Sequence, residues 1–304
     1  MSDFKVYTLG CGSARPSLRH HPSSTVVNHR GNLFMVDCGE GAQSAFMRQR
    51  LSFARLRHIF LTHLHGDHVF GLPGLIGTLA LSGNGGGITI HTFEEGKKQL
   101  KSIFDYFCRD TPFDINFNVI DPEVEATILE TKSLTVRTVR LQHRVPAVGF
   151  VFEEKQGERH IIPSMTDFHN VPKSWMKRLK AGEDFIKEDG TVVANALLTT
   201  DPTPARSYAH LSDTVYLPEM AKKIKGVDLL FHETTYLEEH ASLAAPRGHS
   251  TARQAAMVAR DAGAGRLLTG HYSSRYRDEK NFVKEASEIF PNVILNREGL
   301  VTEI

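Results

Sequence analysis

Several features that would place the 304-residue sequence in a narrow class of protein are scarce. It has three cysteines, Cys11, Cys38 and Cys108, and their wide spacing gives neither a disulfide framework nor a Cys-x-x-Cys metal-binding pair. No apolar run approaches the roughly 18 residues of a membrane span. Charge and glycine follow too soon after Met1 for a signal peptide. We therefore expect a soluble, cytoplasmic protein with no membrane partner.

An excess of charge of one sign is also missing. The sequence has 36 lysines and arginines against 35 aspartates and glutamates, which gives a formal net charge of +1. This balance argues against a surface coated with basic charge, although a local basic stripe is enough to bind phosphates. Hydrophobic residues make up 40% and charged residues 23% of the chain, which excludes a disordered or fibrous protein. The count that stands out is 16 histidines.

Strand and helix patterns alternate along most of the chain, which predicts a layered α/β fold in a single domain, 1–304. Strands are predicted at 4–9, 24–28, 33–36, 57–61, 87–92, 133–141, 148–153, 208–211, 227–231 and 266–269. Helices are predicted at 41–51, 72–81, 94–107, 219–225, 251–262 and 280–289. The glycine-rich segment 83–87 is interpreted as a flexible connection rather than a phosphate-binding loop, because no P-loop lysine follows it.

Residues 154–195 differ in character, since polar and charged residues dominate and proline and glycine interrupt them. We interpret this stretch as an inserted arm. Its segment 173–180 (KSWMKRLK) carries four basic residues and no acidic one, and helical spacing puts Lys173, Lys177 and Lys180 on one face. The segment is either a solvated helix packed through Trp175 or an arm that contacts phosphates.

The strongest motif is His-x-His-x-Asp-His at residues 63–68, directly after a predicted strand. His63 and His65 lie two residues apart on extended chain, so both rings point to the same side. The turn at Gly66 lets Asp67 and His68 face the same cavity. Imidazole and carboxylate ligands suit zinc, manganese or iron rather than calcium. Four such ligands within six residues favour a site for two divalent metals.

Three more candidate ligands follow the ends of later predicted strands. These are His143, Asp213 and His271, each beside a small residue, a turn or a break in the pattern. Sites in layered α/β folds form outside the carboxyl ends of strands, so these side chains can join the 63–68 motif.

The sequence HLHGDH after a strand resembles the signature of the metallo-β-lactamase superfamily. The longer segment Thr62–Leu75 (THLHGDHVFGLPGL) resembles the ribonuclease Z family, endonucleases that trim tRNA 3′ trailers. Other segments that resemble this family follow in the expected order, namely Leu9–Gly12, Asp37–Glu40, Ser212–Thr214, His232–Thr235, Gly248–Thr251 with Gln254–Ala256, and Gly270–Tyr276.

The resemblance implies a four-layer αββα sandwich with an inserted arm, and two Zn²⁺ ions per subunit, or Mn²⁺ or another divalent metal. It implies that one metal is held by His63, His65 and His143, that the other is held by Asp67, His68 and His271, and that Asp213 bridges them. It also implies that His249 is the catalytic histidine. Asp67 can accept the proton of a water molecule while it holds a metal, and a protonated His249 can protonate the leaving 3′-oxygen.

The implied activity is zinc-dependent removal of the 3′ trailer from precursor tRNA. Metal-activated hydroxide attacks a phosphodiester and leaves a tRNA 3′-hydroxyl. The resemblance further implies a homodimer in which the arm of one subunit serves the active site of the other, with residues 154–195 as the tRNA-binding arm. No DNA partner is expected. A small-molecule phosphodiesterase or lactonase of the same fold, and an RNA-binding protein with a structural metal, are the alternatives.

Arg275 is a candidate phosphate clamp because it follows His271 by four residues in a polar loop, although a surface salt bridge would place an arginine there equally well. His232 and Glu233 are expected to support the site rather than bind metal. No chemistry is assigned to the remaining nine histidines, His20, His21, His29, His58, His91, His160, His169, His210 and His240.

Two segments depart from the family pattern. Many members have a Pro-x-Lys-x-Arg-Asn loop after the first strand, and residues 16–21 (PSLRHH) keep only the proline, with Arg15, Arg19 and His20 as other sources of positive charge. Many arms also have a tip rich in glycine and proline, where this chain has Val171–Trp175.

Overall fold

The structure is a computed structural model that describes residues 3–82 and 86–304. The chain forms two compact units. The first comprises the chain up to Glu130 together with Val136–Phe152 and Ser207–Ile304, and the second comprises Thr131–Thr135 and Glu153–Arg206. The predicted arm at 154–195 falls within the second unit. The glycine-rich connection predicted at 83–87 lies mostly outside the described residues.

The first unit contains two sheets of seven strands each. In spatial order the strands of the first sheet are Val301–Glu303, Phe4–Gly10, Ser24–His29, Asn32–Val36, Leu56–Phe60, Ile88–Thr92 and Ile115–Val119. In spatial order the strands of the second sheet are Val293–Ile294, Arg266–Leu268, Leu229–His232, Ser207–Leu211, Ala147–Glu154, Leu134–Leu141 and Thr127–Glu130.

Parallel strand pairs run through both sheets. From Asn32–Val36 to Ile115–Val119 the first sheet is parallel, and so is the second sheet from Ser207–Leu211 to Val293–Ile294. The antiparallel strands Ser24–His29 and Asn32–Val36 form a hairpin that closes through Arg30 and Gly31. Both residues have positive φ, which is the conformation that a two-residue hairpin turn of this type requires. Parallel strands bring their carboxyl ends to one edge, where the candidate ligands follow.

Phenylalanine side chains fill the space between the two sheets. Phe60 of the first sheet lies 5.2 Å from Phe150 and 5.6 Å from Phe152 of the second, measured between ring centroids. Separate buried clusters join the outer face of each sheet to helices. Leu75 of the helix Leu72–Leu81 belongs to the cluster of the first sheet, and Ala255 of the helix Ala252–Ala262 belongs to that of the second. The order helix, sheet, sheet, helix is therefore the predicted αββα sandwich, and the fold prediction is confirmed.

The helices lie close to their predicted positions. The α-helices are Ala42–Arg48, Gly66–Val69, Leu72–Leu81, Glu94–Phe107, Pro163–Phe168, Met176–Lys180, Asn195–Leu198, Met220–Lys223, Ala241–Ala244, Ala252–Ala262 and Lys280–Ser287. Short 3₁₀ helices span Phe53–Arg55, Lys173–Trp175, Glu238–His240 and Ala245–Arg247. In the described parts of the chain, no helix combines the length and the apolar character needed to cross a membrane.

The second unit has its own small core. Leu179, Phe185, Val193 and Leu198 are buried together, and Trp175 packs against them. Two short strand pairs, His160–Ile161 with Thr199–Thr200 and Phe185–Ile186 with Val192–Val193, complete this unit.

Candidate metal centre

The His-x-His-x-Asp-His motif begins just after the strand Leu56–Phe60 ends. The chain stays extended through His65 and then turns into the short helix Gly66–Val69. A Cβ on Gly66 would lie 2.3 Å from the ring of Phe70, an exposed side chain that would have to shift to admit it. His63 and His68 are fully buried, which is unusual for histidine and directs both rings inward.

Three imidazoles and one carboxylate converge on a first point. His65 Nδ1 lies 3.1 Å from His63 Nε2 and 3.2 Å from His143 Nε2. Asp213 Oδ2 lies 3.7 Å from His63 Nε2 and 3.8 Å from His143 Nε2. These separations are those between ligand atoms that share one small cation.

A second group lies on the other side of Asp213. Asp67 Oδ2 is 3.5 Å from His68 Nε2 and 3.7 Å from His271 Nε2. Asp213 Oδ1 is 3.6 Å from His68 Nε2 and 3.2 Å from His271 Nε2. The two oxygens of Asp213 thus face different groups, which is the arrangement of a bridging carboxylate. The structure brings together all seven side chains predicted as metal ligands.

Two buried nitrogen atoms show that these residues fit a metal. In the described residues, Nε2 of His68 and Nε2 of His271 have no hydrogen-bond partner although both are buried. A buried nitrogen without a partner costs about 1–3 kcal/mol. Both atoms face carboxylate oxygens across more than 3 Å. A divalent cation between them would satisfy the nitrogens and the carboxylates together.

The opposite ring nitrogens are each held by another group. His68 Nδ1 lies 2.7 Å from Asp37 Oδ2, and His143 Nδ1 lies 2.7 Å from the carbonyl oxygen of Gly248. Thr235 Oγ1 lies 2.9 Å from His271 Nδ1. Such partners fix the tautomer and orientation of a metal-binding imidazole. Asp37 and His271 also have positive φ values of 56° and 59°, a strained conformation that clusters at functional sites.

The protonation states also suit metal binding. Burial lowers the pKa of His63, His65 and His143, so these rings stay neutral and keep a lone pair for a metal. Burial alone would raise the pKa of Asp67 and Asp213. The neighbouring imidazoles outweigh that effect and hold both pKa values well below their usual range. Neutral imidazoles and ionised carboxylates are the states that metal binding requires.

The pKa of His68 reflects the negative charge of the carboxylates around it. Burial lowers this pKa, but Asp37 and Asp213 outweigh burial and raise the pKa of His68 well above its usual value. The same negative charge favours a metal cation at Nε2, in place of the proton.

His249 lies beside the two ligand groups. Its ring centroid is 5.2 Å from that of His143 and 5.4 Å from that of His271. His249 Nδ1 is 3.0 Å from Glu233 Oε1. Burial lowers the pKa of His249, but the charge and hydrogen bond of Glu233 outweigh it, so the pKa lies above its usual value.

Glu233 is fully buried and serves as a support for this histidine. Its Oε1 accepts from the backbone N–H of Ser250, and its Oε2 accepts from Thr235 Oγ1 at 2.6 Å. His232 lies 2.8 Å from the carbonyl oxygen of Glu233 through Nδ1. Neither residue belongs to the two ligand groups. Glu233 holds His249, as expected of a supporting residue, while the supporting role of His232 stays a prediction.

The site opens into a cavity of about 460 Å³. Among the described residues, the lining of this cavity includes Arg15, Phe70 and Arg144. Arg275 is exposed to solvent but does not line the cavity. Sequence reasoning assigned no role to Phe70 and Arg144. Arg144 directly follows His143, and Phe70 follows His68 by two residues; this closeness in sequence is the signal that could have found them. Lys173 and Lys177 lie in the second unit, where both are exposed.

Comparison with known proteins identifies the family. Residues 4–223 match the family model of the anti-Pycsar protein Apyc1, and residues 178–272 match that of a beta-lactamase superfamily domain. The ribonuclease Z of Parabacteroides distasonis is 47% identical over 300 residues, and that of Porphyromonas gingivalis is 45% identical, each alignment covering 99% of both chains.

Solved structures are similar to this chain as well. Human tRNase Z, short form, is 25% identical with a TM-score of 0.69 and covers 98% of both chains. A metallo-β-lactamase fold protein of Bacillus subtilis is 18% identical with a TM-score of 0.71, covering 99% of this chain and 100% of its own, and supports the fold.

The sandwich and its converging histidines and aspartates define a protein of the metallo-β-lactamase fold with a candidate two-metal centre. Within that class the chain belongs to the ribonuclease Z family, and over residues 4–223 it also falls in the family that the Apyc1 model describes. The family resemblance predicted from the motifs is thereby confirmed.

Proposed function

We propose that the chain is an endoribonuclease that removes the 3′ trailer from precursor tRNA and leaves a tRNA 3′-hydroxyl. The convergence of two ligand groups on the two oxygens of Asp213, in a chain 47% identical to a ribonuclease Z, is the observation that carries this proposal. A hydrolase needs room for water and substrate beside its metals, and the cavity of about 460 Å³ supplies it.

The proposal includes two Zn²⁺ ions per subunit, with Mn²⁺ or another divalent metal as a substitute. The first is assigned to His63, His65 and His143, and the second to Asp67, His68 and His271, with Asp213 shared between them. When bound, such a pair of cations supplies a water molecule of lowered pKa and positive charge beside the phosphate.

Asp67 and His249 handle the protons in this proposal. Asp67 lies at the cavity and is held by the backbone N–H of Ala14 at 2.8 Å, so its carboxylate is fixed to accept a proton from water. Glu233 holds Nδ1 of His249 and favours the imidazolium form. Nε2 of His249 is then the group that donates a proton to the leaving 3′-oxygen.

The cavity lining suits a nucleic-acid end. The Arg144 and Arg15 guanidinium groups supply positive charge for phosphate oxygens. The ring of Phe70 is 73% exposed beside the metal centre and offers a surface on which a base can stack. The role of Arg275 as a phosphate clamp stays a prediction, because Arg275 does not line this cavity.

The second unit is proposed to bind the body of the tRNA. Lys173 and Lys177 are exposed and, within the described chain, form no ion pair, whereas Arg178 pairs with Glu183 at 2.7 Å. Lysines that face solvent without an acidic partner can bind backbone phosphates. A homodimer in which each arm serves the other subunit, and a cytoplasmic location, belong to the same proposal.

The test compares two substrates under identical conditions. Purified protein is given a 3′-extended precursor tRNA or a small chromogenic phosphodiester, with and without a chelator. We expect chelator-sensitive cleavage of the tRNA at a far higher kcat/KM than for the small ester. Equal or better turnover of the small ester, with the tRNA left intact, would favour the small-molecule alternative.

A further inference from the structure

A second cluster of metal-binding side chains lies outside the centre described above. It joins Cys11, at the end of the first strand, to His20 and to Glu298 near the C-terminus. These residues belong to neither of the two ligand groups, and the sequence analysis assigned no metal-binding role to His20. Cys11 is buried, with 1% of its surface exposed.

The distances between these side chains are those of a tetrahedral site. Cys11 Sγ lies 3.4 Å from His20 Nδ1 and 3.7 Å from Glu298 Oε1, and His20 Nδ1 lies 3.2 Å from Glu298 Oε2. Zinc bonds of about 2.0 to 2.3 Å to nitrogen, oxygen and sulfur put tetrahedral ligand atoms about 3.3 to 3.6 Å apart. A cation fits among these atoms with little movement of the side chains.

The groups behind the cluster are also those of a metal site. His20 Nε2, the nitrogen turned away from Cys11, lies 3.0 Å from Glu279 Oε1. Arg19 in turn holds the same oxygen at 2.7 Å. The chain of carboxylate, imidazole and metal is the usual arrangement around a zinc-binding histidine. The backbone N–H of His21 donates to Glu298 Oε1 at 2.9 Å, which orients the third ligand.

The polar groups of the cluster suit a cation. Cys11 Sγ and His20 Nδ1 both lie beside the carboxylate of Glu298. A bound metal would deprotonate the thiol and neutralise the carboxylate beside it.

We propose that Cys11, His20 and Glu298 bind a zinc ion, separate from the two-metal centre, with a water molecule as fourth ligand. The loop between Cys11 and His20 includes Ser13, Ala14 and Arg15, which line the cavity of the metal centre. This third ion fastens that loop at both ends to the C-terminal segment. The fastened loop includes residues 16–20 of the segment 16–21, which shares only its proline with the loop sequence of many family members.

Cobalt substitution tests this directly, because only a cysteine ligand gives a thiolate-to-cobalt charge-transfer band in the near ultraviolet. Neither group of the two-metal centre contains a cysteine. We expect the Co²⁺-loaded protein to hold three ions per chain and to show the band. Cys11→Ser should hold two ions and lose the band, while the matched control Cys108→Ser keeps three ions and the band.

A second variant keeps the test valid if Cys11→Ser does not fold. His20→Gln leaves Cys11 in place and should weaken binding of the third Co²⁺ ion by at least tenfold in a titration, with two ions retained. Two ions and no band in the unmodified protein would overturn the proposal. A band that survives in Cys11→Ser would overturn it as well.

Discussion

At the scale of single residues, the position of a histidine decides its role. The side chains after the strand ends meet in one site, while other histidines pack in the core. His91, for instance, stacks on Phe60 with ring centroids 4.2 Å apart. The number of histidines therefore says less than their place at the carboxyl ends of strands. Sequence patterns show that place when the preceding strand is clear.

His249 gives the first prediction at this scale. His249→Ala should lower kcat on precursor tRNA by about 10²- to 10⁴-fold, the usual contribution of a general acid. It should leave both metals bound, because His249 completes neither group of three side chains around Asp213. Turnover and metal content are measured on the same preparation. Wild-type turnover, or loss of a metal, would contradict the role of His249 as a proton donor.

His91 predicts how stability depends on pH. Burial lowers the pKa of His91 from 6.5 to about 3, while Asn118 donates to its Nδ1 and Nε2 faces His58 Nδ1. Between pH 6.5 and about pH 3, His91 binds a proton in the unfolded chain but stays neutral in the folded chain. The free energy of unfolding therefore falls with pH down to about pH 3.

His91→Gln removes this proton uptake. Between pH 7 and pH 5 the unmodified protein should lose about 2 kcal/mol more of its unfolding free energy than the variant, as measured by urea denaturation. Equal losses in both proteins would mean that His91 is not held neutral in the fold.

At the scale of elements, the sequence predicts the central strands and long helices and misses the sheet edges. The helices Leu72–Leu81 and Glu94–Phe107 lie where they are predicted. Within the two seven-stranded sheets, the strands that the sequence analysis did not find are Ile115–Val119, Thr127–Glu130, Val293–Ile294 and Val301–Glu303, and each lies at the edge of its sheet. The four short strands of the second unit were not predicted either. Edge strands are half-buried, so their apolar pattern is weak.

Local backbone geometry explains another difference. The helix predicted at 41–51 forms only over Ala42–Arg48, because Gly41 and Arg50 have positive φ values of 88° and 54°. The basic segment predicted as one helix begins with a 3₁₀ turn at Lys173–Trp175, and the α-helix follows at Met176–Lys180. The spacing of hydrophobic residues alone does not predict where a helix ends or where a 3₁₀ turn precedes it.

Thr251 caps the helix Ala252–Ala262. Its side chain accepts from the N–H of Gln254, and the Gln254 side chain accepts from the N–H of Thr251, forming a capping box. Thr251→Ala should lower the free energy of unfolding by about 1 kcal/mol, and Thr251→Ser should retain most of it. Denaturant unfolding measures both, and equal stability of the two variants would rule out the cap.

The basic segment of the second unit gives a prediction about RNA binding. Lys173→Glu combined with Lys177→Glu should weaken binding of precursor tRNA and reduce the slope of log affinity against log salt, because two phosphate contacts are lost. Hydrolysis of a small phosphodiester should not change. The matched control is Lys98→Glu with Lys225→Glu, which makes the same change of charge on exposed residues of the first unit.

Two results would exclude a role for the segment in RNA binding. One is an equal loss of activity on tRNA and on the small ester. The other is an equal loss of tRNA affinity in the control variant, since that would reflect net charge alone.

At the scale of the whole molecule, the chain comprises a unit with two seven-stranded sheets and a small second unit. The fold and the family follow from motifs that span nearly the whole sequence. Tertiary contacts such as Glu233 with His249, or Asp37 with His68, join residues 16 and 31 positions apart. No local pattern fixes such pairs, so the sequence could name the candidate ligands but not most of the groups that hold them.

The central claim is that two metal ions and His249 cut the 3′ trailer from precursor tRNA. The most direct test is to map both ends of the products by sequencing and end-group analysis, before and after chelation and after metal is restored. The account predicts a tRNA with a 3′-hydroxyl and a trailer with a 5′-phosphate, formed only when metal is present. A tRNA ending in a phosphate, or cleavage that persists in chelator, would contradict it.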